Sequence, residues 1–142
     1  MDTYQFYFGF ARQEVINLIS EGDVCAEIGV YKGDFANEML KKNPSKLHLI
    51  DPWKSITDIP ARWHSLPQSE MDSLKSSVIS RFSSDPAVEI SEKFSVDAVE
   101  GFVDSYFDFI YVDANHSYEY VTRDLDNWWP KLNSGGFICG NA

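Results

Sequence analysis

Cysteine is scarce in this 142-residue chain, with only Cys25 and Cys139 present. Two thiols so far apart make neither a CxxC metal site nor a disulfide framework, and a reducing cytoplasm is the expected setting. Basic residues are also few, 12 Lys and Arg against 22 Asp and Glu, for a net charge of −10. Between Asp85 and Asp126, eleven acidic residues are opposed only by Lys93 and Arg123. A surface of that sign repels phosphate backbones and anionic lipid, so neither nucleic acid nor a membrane is an expected partner. The small basic cluster Lys41, Lys42 and Lys46 reads as a helix C-terminus. No uncharged run approaches the roughly 20 residues of a membrane span. Met1-Asp2-Thr3 lacks the basic start of a signal peptide ahead of the aromatic run Tyr4 to Phe10.

What is present is a composition for one packed domain over residues 1–142, 44% hydrophobic and 15% aromatic. Short apolar runs alternate with amphipathic stretches, the pattern of an α/β fold with a parallel sheet. The expected strands are Val24 to Ile28, Leu47 to Ile50, Val88 to Ile90, Phe107 to Val112 and Phe137 to Cys139. Helices are expected from Phe10 to Ile19, from Asp34 (as cap) to Lys42, from Glu70 to Phe82 and from Val96 to Phe102. A last helix starts at Tyr118, carries Val121, Leu125, Trp128 and Leu132 on one face, and loosens at Pro130 before Asn133-Ser134-Gly135-Gly136 breaks it. Residues 53–86 read as a lid or insert, with a proline-containing loop from Ser55 to Pro67. A fifth strand as short as Phe137 to Cys139 leaves an open edge. The expectation is therefore a truncated sheet, or a homo-oligomer that covers that edge.

In open α/β sheets ligands bind beyond the carboxyl ends of the strands. There the first strand runs into E-I-G-V-Y-K-G, where Gly29 and Gly33 let the backbone approach a ligand and the next helix start favours an anion. Tyr31 stands where GxGxxG requires its middle glycine, which counts against a nicotinamide-dependent dehydrogenase. No Gly-Lys-Ser/Thr, GxSxG or HExxH occurs, so P-loop, serine-hydrolase and zinc-protease readings are excluded. Asp51 closes the second strand, where a carboxylate can accept two hydrogen bonds from a ribose diol. Asp113 and His116 follow the most apolar strand, a carboxylate suited to a divalent metal or an ammonium beside a base that titrates near neutrality. His48, between Leu47 and Leu49, reads as structural; His64 has no evident partner.

The runs V-C-A-E-I-G-V-Y-K-G-D-F-A, L-H-L-I-D-P-W and F-D-F-I-Y-V-D-A-N-H-S-Y-E-Y together resemble class I S-adenosylmethionine-dependent methyltransferases. The D-A-N-H-S-Y segment narrows the likeness to the branch with macrocin-type sugar O-methyltransferases. The resemblance implies a Rossmann-like, mostly parallel open sheet with helices on both faces, holding S-adenosyl-L-methionine. It would place Glu27, Gly29 and Gly33 around the methionine part, Asp51 at the ribose and Ser95 near the adenine. In metal-dependent members Asp113 would bind Mg²⁺ and His116 would take the proton of a hydroxyl on a small-molecule acceptor. The family carries further acidic or His-Asp residues after the position of Gly140, where this chain has Asn141-Ala142. The alternative is an inert or truncated fragment that binds the donor without turnover.

Overall fold

The computed structural model describes residues 5–8, 12–55, 66–113 and 118–140. Within them six strands form one sheet, every neighbouring pair parallel. In chain order these are β1 (Gln5–Phe8), β2 (Val24–Ile28), β3 (Lys46–Ile50), β4 (Val88–Ser91), β5 (Phe107–Val112) and β6 (Leu132–Gly140). The helices are α1 (Arg12–Ile16), α2 (Asp34–Leu40), α3 (Gln68–Phe82), α4 (Ser95–Ala98) and α5 (Tyr118–Trp128). The spatial order β1-β6-β5-β2-β3-β4 runs outward from β2 to β3 and β4, then restarts at β5 on the other side. This reversal makes the β2/β5 junction the switch point where α/β sheets bind ligands.

Strand alternation sends successive side chains to opposite faces, and two cores result. Cys25, Leu47, Leu49, Phe109 and Tyr111 pack with Val15, Met39, Met71 and Phe82 on the side of α1, α2 and α3. Ala26, Ile28, Ile50, Ile110 and Val112 pack with Ala98 and Trp128 on the side of α4 and α5. His48 points to this second side, 4% exposed, with Nε2 3.0 Å from the Tyr106 hydroxyl and Nδ1 3.4 Å from Glu89. Its ring is enclosed by those of Phe102, Tyr106 and Phe107, as a structural role requires.

The structure corrects the sequence reading at both ends. Gln5–Phe8, part of the aromatic run left without a role, is a strand paired in register with Phe137–Gly140 of β6. The edge expected to lie open, and to drive homo-oligomerisation, is therefore covered from within the chain. The expected break at Asn133-Ser134-Gly135-Gly136 is instead a bulge inside β6, where pairing slips between Phe107/Leu132 and Phe109/Phe137. A Cβ on Gly136 would sit 2.9 Å from the Asn133 carbonyl oxygen, and Gly135 takes φ 81°, so glycine is what allows the bulge. The opening helix is shorter than expected, Leu132 belongs to β6, and α5 ends ahead of Pro130 in one 3₁₀ turn. Of the expected lid, residues 56–65 lie outside the described residues. No described helix is long and apolar enough to cross a membrane.

Candidate functional site

Three strand ends meet at the switch point. The Gly29 N–H donates to the Ile50 carbonyl at 2.9 Å and the Asp113 N–H to the Ile28 carbonyl at 2.7 Å. The loop from Gly29 to Gly33 then turns into α2 through left-handed conformations at Gly29, Tyr31 and Gly33. At Gly33 glycine is required twice: φ is +84°, and an added Cβ would lie 2.8 Å from Cε2 of Phe82 on α3. Gly33, rather than Asp34, is the N-cap residue; Asp34 is the first helical residue and pairs with Arg81 of α3 at 2.8 Å.

Asp51 is 1% exposed, and its carboxylate is turned into the protein. Oδ2 accepts from the N–H groups of Val30 (2.9 Å) and Tyr31 (3.1 Å), and Oδ1 from that of Trp53 (2.7 Å). A carboxylate has about four acceptor positions, so roughly one remains for a ligand, not the two a ribose diol would take. Burial raises the Asp51 pKa, and the three backbone bonds oppose that rise. Trp53, itself left-handed at φ 43°, donates its indole N–H to the Tyr31 carbonyl at 3.2 Å, and Gln68 of α3 donates to the Trp53 carbonyl at 3.0 Å. Asp51 thus orders the two loops that would flank a ligand.

Glu27, one residue before the end of β2, is 1% exposed, and its Oε1 has no hydrogen-bond partner among the described residues. Burial raises its pKa well above the usual carboxylate range; Arg12 opposes the rise, while Asp113, Asp51 and Asp34 add to it. Arg12, at the start of α1, forms an ion pair with Asp113 at the end of β5. Its guanidinium lies 5.3 Å from the ring centre of Phe35 and 5.7 Å from that of Tyr111. Sequence reasoning missed Arg12. The available signal was its isolation, as the only Lys or Arg before Lys32.

Beyond the ends of β3 and β4 lies an open pocket of about 480 Å³, lined in part by Pro52, Trp53, Lys54, Phe94 and Asp97. Ser95 is not among the residues that line it, and its hydroxyl donates its proton to the buried carboxylate of Asp124 on α5, keeping only acceptor positions for a ligand. Its neighbours Phe94 and Asp97 face the pocket instead. His116, His64, Asn141 and Ala142 lie outside the described residues. Among the described residues no three His, Cys, Asp or Glu side chains are grouped to hold a metal ion, and Asp113 is already matched by Arg12. The expected Mg²⁺ site is not formed by these residues.

A family model described as a methyltransferase domain matches residues 26–141. Among solved structures, the chain is similar to a protein from Corynebacterium glutamicum, at 16% identity and TM-score 0.64, over 90% of this chain and 56% of that one. It is similar to a candidate S-adenosyl-L-methionine-dependent methyltransferase from Methanococcus maripaludis, at 17% identity and TM-score 0.63, over 92% and 53% of the two chains. Spermidine synthase from Thermotoga maritima is similar at 17% identity and TM-score 0.57, over 83% and 37%. At such identities the likeness is one of fold, and the chain spans only 37% to 56% of these three proteins. No curated protein matches.

Proposed function

The chain belongs to the methyltransferase-domain family, and from that premise we infer that it binds S-adenosyl-L-methionine and methylates a hydroxyl of a small metabolite or sugar. The observation that carries the donor reading is Glu27, a buried carboxyl with an oxygen left without a partner at the switch point of the sheet. A buried polar atom without a partner is costly unless a ligand completes it, and the ammonium of an amino-acid end does so with opposite charge. Bound there, the donor supplies an electrophilic methyl group on a sulfonium centre. Gly29 and Gly33 shape the loop beside it, Asp51 holds that loop to Trp53 and offers its last acceptor position to a ribose hydroxyl, and Phe94 faces the pocket for the base.

The O-directed part rests on the D-A-N-H-S-Y resemblance to sugar O-methyltransferases. His116, three residues beyond Asp113, is assigned the proton of the acceptor hydroxyl, which raises the nucleophilicity of that oxygen as the methyl transfers. No step is assigned to Mg²⁺. A second reading, donor binding without turnover, is favoured by the Arg12–Asp113 pair, which engages the carboxylate expected on the acceptor side.

Calorimetric titration with S-adenosylhomocysteine, followed by a transfer assay with methyl-labelled donor and hydroxylated acceptors, separates the outcomes. Micromolar binding with label in a hydroxyl-bearing product supports the proposal. Binding with no transfer favours the second reading, and no binding by the folded chain overturns the donor assignment.

A further inference from the structure

Glu27 accounts for one charge of a donor whose amino-acid end carries two. The other, an α-carboxylate, needs a cation at the same place, and α1 brings one there. The Arg12 guanidinium lies 5.7 Å from the ring centre of Tyr111, the register partner of Glu27 on the neighbouring strand, and it pairs with Asp113 two residues further on. The rings of Phe35 and Tyr111, whose centres are 4.5 Å apart, both lie against its guanidinium, and they fix its position by packing and cation–π attraction. Asp113 is 8% exposed, whereas the Arg12 side chain is 42% exposed. One side of the guanidinium therefore faces a buried carboxylate while the group as a whole remains open to solvent. A guanidinium has five N–H donors in a planar fork, enough to keep Asp113 on one edge and take a second carboxylate on another.

We propose that Arg12 binds the α-carboxylate of the methyl donor, so that Arg12 and Glu27 form a two-charge clamp selective for a free α-amino acid end. The assignment rests on the donor reading above. It accounts for a cation from outside the glycine loop sitting against Asp113 and beside Tyr111, the register partner of Glu27, and for an arginine in that place. Arginine stays charged when half-buried and can serve two carboxylates in one plane, which the point charge of lysine cannot. Burial lowers the Arg12 pKa, but pairing with Asp113 outweighs it, so the cation persists at any working pH.

The test compares three ligands by calorimetry on the full chain: S-adenosylhomocysteine, its decarboxylated analogue S-adenosyl-3-thiopropylamine, and 5′-methylthioadenosine, which lacks the whole amino-acid end. The wild-type chain is expected to prefer S-adenosylhomocysteine over the decarboxylated analogue by about tenfold or more, the effect of a charge-assisted pair. Arg12→Met should lose that preference, its binding of S-adenosylhomocysteine falling much further than its binding of the decarboxylated analogue or methylthioadenosine. Arg12→Lys, which keeps the charge and guards against a misfolded Met variant, should retain part of the preference. If Arg12→Met weakens all three ligands equally, Arg12 only supports the fold and the proposal fails. It fails also if the preference survives in Arg12→Met, or if the wild type never shows it. A wild-type chain that binds none of the three removes the donor reading itself, a result distinct from loss of the carboxylate preference alone.

Discussion

The carboxylate of Asp51 and the backbone N–H of Val30 are joined by a buried 2.9 Å hydrogen bond that ties the end of β3 to the glycine loop after β2. Tyr31 and Trp53 complete the arrangement from either side. One side chain thus orders two loops before any ligand arrives.

Asp51→Ala leaves three backbone donors without their acceptor, two of them on the buried residues Val30 and Trp53. Each orphaned group costs about 1–3 kcal/mol, so the variant should lose several kcal/mol of stability along with donor binding. Urea denaturation is the measurement. An unchanged midpoint together with lost S-adenosylhomocysteine binding would make Asp51 a ligand residue only.

Glu27 governs a pH effect on binding. Burial raises its pKa, so without a charged partner the carboxyl holds its proton to higher pH than usual. An ammonium ligand favours the ionised form, so below the raised pKa binding releases a proton and affinity climbs with pH, by up to about tenfold per unit. Above that pKa it levels off. Titrations with S-adenosylhomocysteine at stepped pH, in buffers of different ionisation heat, should show the slope and proton release in the wild type and neither in Glu27→Gln.

His48 governs a pH effect on stability. Burial lowers its pKa, helped by Lys46 and opposed by Glu89. The folded state therefore favours neutral imidazole. Its contribution is complete above the unfolded value of about 6.5 and is lost as pH falls through the lowered folded value. Unfolding midpoints between pH 8 and 5 should fall more steeply in the wild type than in His48→Gln. Parallel curves would rule out the assignment.

Gly33→Ala combines left-handed strain with a 2.8 Å approach to Phe82. The strain alone costs about 1–2 kcal/mol. Shortening the neighbour in a Gly33→Ala, Phe82→Leu double variant should relieve the clash and leave the strain, so the double-mutant cycle should be non-additive in the favourable direction. Strict additivity of the two unfolding free energies would mean that the contact is unimportant.

Much of this was legible in the chain. β2 and β5 begin and end where expected, because each is an apolar run closed by a residue that must leave the sheet, Gly29 or Asp113. Glu27, Gly29, Asp51 and Asp113 come together because parallel strands put all their carboxyl ends at one edge. What stayed hidden was long-range. Gln5–Phe8 is recognisable as a strand only through its partner Phe137–Gly140. Arg12 gains meaning only when α1 meets β5, 101 residues on. The direction in which Asp51 and Ser95 point their oxygens depends on backbone and carboxylate groups brought close by folding, and spacing along the chain does not record it.

The pairing of Gln5 with Phe137 also bears on how the protein is made. A nascent chain emerging from the ribosome amino end first carries Gln5–Phe8 unpaired until Phe137–Gly140, the surface that receives it, has been made. The inner strands β2, β3 and β5 can assemble earlier, leaving Gln5–Phe8 and the growing edge of β5 unmatched until β6 arrives. Pairings of such large sequence separation form slowly and leave strand edges open to other chains meanwhile. Yield in cells should therefore respond to translation rate and chaperone supply more than the equilibrium stability of the finished sheet would suggest.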